Sequence, residues 1–430
     1  MLRVVDAEGA IPDLEPVAFP PEVEDGVRQI CRRVREEGDA VLVELTRRFD
    51  GADVEGRLRV TDQELDRAGR DLDPDLHAAL ARLAERLRDL HGRQLPPPWS
   101  SESGGIRFGE RVRPLAAAGA YAPGGRASYP STVLMTTIPA RVAGVERVVL
   151  CTPPSADGSV APAILAAARL AGVDAVYRVG GAQAVAAMAY GTEAVPRVDK
   201  VVGPGNVWVT AAKREVAGTV GIDGLAGPTE LVIVADRSAE PAVLAADLVA
   251  QAEHDPLARV TLVCLETGVA DRVDQALERE VAASPRHEIV EASLRHAVAV
   301  VARSDQEAAV IVDRVAPEHL QVVTRDPEGI LELARSYGAA FLGPLTPVAF
   351  GDYGVGSNHV LPTMRTARFS SGLRAADFVT VSSVVEATRE GAERFGPETE
   401  LLARAEGLPG HARAVEVRRP GRGPAAPPTS

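Results

Sequence analysis

Apolar residues recur every three to four positions across residues 20–90, with polar turns between the runs. That spacing predicts a series of amphipathic helices, closed by the breaker Leu95-Pro-Pro-Pro-Trp99. From residue 116 the pattern changes. Continuous apolar runs at 147–151, 175–179, 198–202 and 231–235 predict buried strands, separated by Ala-rich helical segments. A second alternation follows: helix 241–253, strand 259–264, helix 269–283, strand 297–301, helix 305–314, strand 319–323, helix 327–335 and strand 339–342. Strands alternating with helices of this length imply parallel sheets with crossover helices. The expected fold class is therefore α/β: two doubly wound, Rossmann-like domains plus helical N-terminal and C-terminal extensions. The expected division places 1–118 with 231–372 in one domain and 119–230 in the other. Residues 373–416 form a helical tail, and 417–430, containing GRGPAAPP, have the composition of a disordered one.

One helix breaks its own pattern. Ser238 reads as an N-cap, Pro241 fits the first turn, and Asp255-Pro256 ends the segment. Leu244, Leu248 and Gln251 are spaced four and three apart and share one face. Gln251 is polar on a face that should be apolar, and His254 follows one turn on. Desolvating such a group alone costs roughly 1–3 kcal/mol. A metal ion would satisfy both side chains; a frayed helix end with two solvated side chains is the plainer alternative.

Composition narrows the field. At 430 residues the chain exceeds one typical core. A net charge of −13 argues against nucleic acid or an anionic membrane as the main partner, although 413–422 is locally Arg-rich. The first thirty residues lack an apolar signal core, and no run is long enough to span a bilayer. Cys31, Cys151 and Cys264 are scattered, without C-x-x-C, and the last two lie in apolar β-like runs. Buried thiols in a reducing cytoplasm are the expectation.

Two constellations carry candidate chemistry. AYAPGGR (120–126), RVGGAQAVAA (178–187) and KVVGPGNVW (200–208) each place glycine between a strand and a helix. Such turns let backbone approach a phosphate at a helix N-terminus. Each alone is weak, since tight α/β turns favour glycine anyway, and none completes G-x-G-x-x-G. Three in succession point to dinucleotide binding. The second constellation is polar: Glu318 beside His319, the loop Phe350-Gly-Asp352-Tyr with Gly356-Ser-Asn-His359, and Glu406 with His411. Of the eight His, His77, His91, His287 and His296 lie in ordinary helical or charged contexts and read as surface or structural. Gln, Asp and His donors without Cys suit a divalent ion such as zinc. The only lysines are Lys200 and Lys213, and no Tyr-x-x-x-Lys occurs, which removes that proton relay. No Cys sits in a polar turn suited to a thiolate nucleophile.

Taken together, the segments resemble the histidinol dehydrogenase family from about residue 20 to 416. The most specific is Ile222–Glu230, IDGLAGPTE; GAYAPGG, STVLMTTIPA, VGGAQA, VGPGN, AEHDP, APEHL, GDYGVGSNHVLPT and AEGLPGH follow the family's order. The resemblance implies an NAD-dependent, zinc-containing homodimer, one zinc per subunit, that oxidises L-histidinol through the aldehyde to L-histidine with two NAD. It implies metal ligands at Gln251, His254, Asp352 and His411, and an acid/base pair at Glu318 and His319. NAD contacts fall on Tyr121, Gln183 and Asn206. Substrate contacts fall on Thr229, His359 and Glu406, joined by Gln251, His254, His319, Asp352 and His411. Thr229 stands where the family often has Ser; the hydroxyl is kept. The tail 373–416 is implied to cross to the partner and share its active site, and 119–230 to be the NAD-binding domain. The alternatives are a related zinc- and NAD-dependent dehydrogenase of another small alcohol, and a non-catalytic protein that kept the fold. Glu406 and His411 argue against the first, and retention of Glu318, His319 and four ligand positions argues against the second.

Overall fold

The computed structural model describes residues 1–6, 19–124 and 128–419. Part of the AYAPGGR turn (125–127) and residues 420–430 of the expected tail lie outside them. By internal contacts the chain divides into two compact units: Met1–Gln94 with Leu115–Phe378, and Leu95–Pro114 with Val379–Ser430.

The first unit holds two parallel sheets. In one, β4 (Ala117–Tyr121), β5 (Arg147–Thr152), β6 (Ala175–Arg178), β7 (Lys200–Val202) and β8 (Gly221–Ile222) run in the order β6-β5-β4-β7-β8. In the other, β1 (Arg3–Val5), β9 (Glu230–Ala235), β10 (Arg259–Cys264), β11 (Val298–Val301), β12 (His319–Val323) and β13 (Ala339–Leu342) run β1-β11-β10-β9-β12-β13. The runs β4–β8 and β9–β13 are each doubly wound, starting mid-sheet, growing to one side and returning to the other, while β1 is added at the edge beside β11. The expected parallel α/β architecture is found.

The alternation of the pleat explains the packing. In β9, Leu231 and Ile233 join a core with Leu244, Leu248 and Leu277, while Val232 and Val234 join another with Ile311, Val312 and Ile330. Both faces of the strand are buried, as continuous apolar strands require. The N-terminal helices Pro21–Glu37 and Asp39–Asp50 bury Val27, Val34, Leu42 and Leu45 in one core with Tyr121, Val149 and Val185.

The structure departs from the sequence reading in three places. The helix carrying Gln251 spans Pro241–Ala252, so it starts later than Ser238; that hydroxyl bonds the Asp236 carboxylate instead of capping. A helix forms at His287–Leu294. Most of the difference lies in the second unit, where β2 (Trp99–Ser103), β3 (Ile106–Pro114) and β14 (Val379–Ala387) make an antiparallel sheet ordered β14-β3-β2. Gly104 and Gly105, at φ 57° and 77°, supply the two left-handed residues of its tight hairpin. β14, in a segment read as helical, is rich in β-branched Val and Thr and pairs with β3 along its whole length. Helices Arg389–Ala405 and Pro409–Glu416 complete this unit. Among the described residues no helix is long and apolar enough to cross a membrane.

Candidate active site

Glu318 and His319 are set by the turn that feeds β12. The helix Asp305–Val315 ends at Ala316 in the left-handed region, φ 46° and ψ 60°. That costs a residue with a Cβ roughly 1–2 kcal/mol. Pro317 then directs the chain into the strand, and His319 pairs with Leu231 of β9 on one side and Ala339 of β13 on the other. Both side chains are buried.

Polar contacts run from β9 through Glu318 to the helix Pro241–Ala252. The Thr229 hydroxyl donates to the Glu318 carboxylate and accepts from the Gln251 amide nitrogen. The backbone N–H of Glu230 donates to Glu318 Oε2 at 3.2 Å. These two bonds favour the ionised carboxyl, but burial opposes them and prevails, pushing Glu318 up to about 7. His319 Nδ1 lies 3.3 Å from the Glu230 carbonyl oxygen and 3.5 Å from Glu318 Oε2. Both neighbours accept, so in the neutral ring Nδ1 carries the proton and Nε2 the lone pair. Nε2 is buried with no partner. Burial lowers the imidazole to about 4, which keeps the ring neutral at pH 7.

Around this pair stand Asp352, His359 and His254. His359 Nδ1 bonds the Asp352 carbonyl at 3.1 Å, and its Nε2 meets the Thr132 hydroxyl at 3.0 Å. Burial lowers His359 to about 4 as well. Burial raises the Asp352 carboxyl, while His319 and His254 pull it down. His254 is exposed just past its helix, whereas Gln251 is buried with Leu244 and Leu248. Its amide nitrogen faces Thr229, which leaves the carbonyl oxygen as the atom able to ligate a cation. Among the described residues, no three His, Cys, Asp and Glu side chains stand together as a ready metal set.

Glu406 and His411 belong to the second unit, one capping the helix Arg389–Ala405 and the other within Pro409–Glu416; both are exposed. The expected nucleotide residues gather at the carboxyl edge of the first sheet. Tyr121 ends β4, and its buried hydroxyl accepts from the Gly181 N–H at 3.2 Å. Gln183 is buried in the first turn of the helix Gly181–Tyr190. Asn206 caps the helix Val207–Val216, accepting from the N–H groups of Trp208 and Val209 at 3.0 and 3.2 Å. The order β6-β5-β4-β7-β8 puts its topological switch between β4 and β7, where α/β folds take nucleotides.

Sequence reading missed Glu230, Thr132 and Asn358. Glu230 is buried; burial, then the charge of Glu318, raises it to about 7. Asn358 links His91 Nε2 at 3.3 Å to the Met135 carbonyl at 2.7 Å, beside His359. Its signal was a polar side chain in a Gly-rich loop. Thr132 had a weaker one, a threonine inside an otherwise apolar helix, Pro130–Val142.

The fold and side-chain geometry define a doubly wound α/β protein with a buried carboxyl–imidazole pair at the start of β12 and glycine-rich strand–helix turns at the carboxyl edge of the other sheet. Residues 16–419 match the model of the histidinol dehydrogenase family. The chain is 46% identical over 399 residues to a histidinol dehydrogenase of Synechococcus sp., covering 92% of each chain. It is 49% identical to one from Natronomonas pharaonis, over 92% of this chain and 94% of that one. It is also similar to a crystal structure of histidinol dehydrogenase from Elizabethkingia anophelis: TM-score 0.92, 33% identity, 97% and 98% of the two chains covered. The chain belongs to the histidinol dehydrogenase family.

Proposed function

We propose that the chain oxidises L-histidinol through L-histidinaldehyde to L-histidine at the cluster around Glu318 and His319, the last two steps of histidine biosynthesis. Family membership makes it an NAD-dependent dehydrogenase, and NAD accepts one hydride in each oxidation. The observation that carries the siting of the chemistry is His319 Nε2, a buried nitrogen without a partner whose ring is fixed through Nδ1. An alcohol hydroxyl beside Nε2 gives up its proton to that lone pair as hydride leaves the carbinol carbon. An aldehyde has no such proton, so the second oxidation starts from its hydrate. We assign activation of that water to Glu318, a carboxyl near 7 that exchanges a proton readily at neutral pH. His319 then serves again as base.

The metal-holding residues we propose are Gln251, His254, Asp352 and His411. The donor set fits zinc: amide oxygen, imidazole and carboxylate, with no thiol. Bound there, the ion would hold the amine and imidazole of the substrate and so orient the reacting carbon. Thr229, Gln251, His254, His319, Asp352 and His359 would contact substrate from the first unit. Glu406 and His411 would do so from the partner subunit of a homodimer. The exposed Leu401 and Leu402 of the second unit, 70% and 62% accessible, support a docking role for that segment. Tyr121, Gln183 and Asn206 are the proposed NAD contacts. Free buried Cys31, Cys151 and Cys264 suit a cytoplasmic setting.

The test is stoichiometry: purified protein with zinc, NAD and L-histidinol should yield two NADH per histidinol. Turnover of only another small alcohol would favour a related dehydrogenase, and turnover of neither would remove the reading.

A further inference from the structure

The chain has two lysines, and one of them, Lys213, is buried. It lies on the helix Val207–Val216, ion-paired with Asp223, which follows β8; the two side chains are 3% and 6% exposed. Both also bond the backbone of one glycine, on either side of its Cα. The Gly203 N–H donates to Asp223 Oδ2 at 2.7 Å, and the Gly203 carbonyl accepts from Lys213 Nζ at 3.1 Å. Asp223 Oδ1 takes a further bond from the Gly224 N–H at 2.9 Å. Gly203 follows β7 with φ at 117°, and a Cβ there would collide with the Tyr121 carbonyl oxygen. The clamped residue therefore stands against Tyr121 and three positions before Asn206, at the switch between β4 and β7.

Stability alone is a poor reason for such a pair, because well-packed apolar side chains often replace a buried ion pair without loss. Fixing both polar groups of one glycine is what an apolar replacement could not do. We infer that Lys213 and Asp223 are positioning residues that hold the Gly203–Asn206 turn preformed for the dinucleotide. The inference rests on the proposed reading of Tyr121, Gln183 and Asn206 as the NAD edge. A turn ordered before binding spares NAD the cost of ordering it, so the pair acts on nucleotide affinity rather than on the chemical steps.

The test is the double variant Lys213→Met with Asp223→Leu, which leaves no lone buried charge and keeps the net charge unchanged. KM for NAD should rise about ten-fold, with kcat at saturating NAD and KM for L-histidinol each within about three-fold. A lowered Tm with KM for NAD within about two-fold of wild type would mean a purely structural pair and overturn the inference. Gln183→Ala and Tyr121→Phe are measured beside it. If they weaken NAD and the double variant does not, the inference alone fails. If none of the three weakens NAD, the reading of that edge fails and takes the inference with it. Should the double variant not fold, amide exchange on the unmodified protein decides. The Gly203 amide should exchange slowly without NAD; fast exchange that slows only on adding NAD would overturn preformation.

Discussion

In the sheet β6-β5-β4-β7-β8 the proposed nucleotide residues stand where strands end; in β1-β11-β10-β9-β12-β13 the proposed acid/base pair stands where strands begin. Tyr121 closes β4, whereas Glu230 opens β9 and His319 opens β12. The two sheets share one winding. On the proposed reading the first follows the usual rule, with ligand at the carboxyl edge of the switch point. At the matching edge of the second, Asp236 follows β9, and its carboxylate is occupied by the N–H groups of Ser238 and Arg325 at 2.8 and 3.0 Å. The Asp236 carboxylate is thus satisfied, whereas the hydroxyl of Thr324, which follows β12 at the same edge, is buried without a partner. The amino edge holds unpartnered His319 Nε2 and Glu230 Oε2. Winding alone thus does not say at which edge polar side chains cluster; in the second sheet Glu230, Glu318 and His319 gather where strands begin.

The segment between the sheets ties the two edges together. Asp223 holds Gly203 at one end, and Thr229 and Glu230 hold Glu318 at the other. Between them the Gly227 N–H donates to the Thr363 hydroxyl at 2.7 Å. The signature IDGLAGPTE is a strap with a polar anchor for each edge, which accounts for its residue types better than any single binding role.

The largest effect should come from the amino edge. His319→Asn should lower kcat for both oxidations by roughly 10²–10⁴-fold. Glu318→Gln keeps the shape of Glu318 but cannot take up a proton, so it should impair aldehyde oxidation more than alcohol oxidation. Separate assays with L-histidinol and L-histidinaldehyde resolve the two, and equal mild losses in both variants would take the chemistry away from that edge. Next, His254→Ala should reduce bound metal to below about a tenth of wild type while the fold survives, measured by elemental analysis and circular dichroism. Full occupancy there would move the metal elsewhere.

A mixing experiment extends the comparison to the second unit. His319→Asn and His411→Asn proteins, dissociated and reassociated together, should recover up to about a quarter of wild-type activity, since a heterodimer restores one site in two. No recovery despite proven subunit exchange would mean that the tail serves its own chain.

The smallest effect lies near the carboxyl edge of the first sheet, where the charge of Asp50 bears on Tyr121. Burial raises Asp50 to about 6, and its Oδ2 has no partner. The folded state therefore holds this proton more tightly than the unfolded chain. The associated stability is complete below the unfolded carboxyl pKa, about 4, and is lost as pH rises through about 6. Asp50→Asn should remove that loss, raising Tm at pH 7 relative to wild type and leaving Tm at low pH nearly unchanged. An equal shift at both pH values would mean that Asp50 acts by packing instead.

Periodicity made most of the first unit legible. Strands 259–264, 319–323 and 339–342 and the helix 269–283 have the boundaries the pattern gave, because buried parallel strands are continuous apolar runs and their helices are amphipathic. The second unit was read less well. β2, β3 and β14 are largely exposed, so only short alternations such as Ile106/Phe108 and Val379/Val381 mark them, and β14 meets β3 across more than 260 residues of chain. Pairing at that separation leaves no local signal.

The sequence by itself determined the winding, the glycine turns, and the residue types gathered at Glu318, His319, Gln251 and Asp352. Each follows from short-range spacing, or from motifs a few residues long. Tertiary structure alone decided that Nδ1 of His319 faces the Glu230 carbonyl and leaves Nε2 unpartnered. It also decided that Lys213 and Asp223 close on Gly203. For His319, Lys213 and Asp223 these partners lie ten to ninety residues away, beyond the reach of any local pattern.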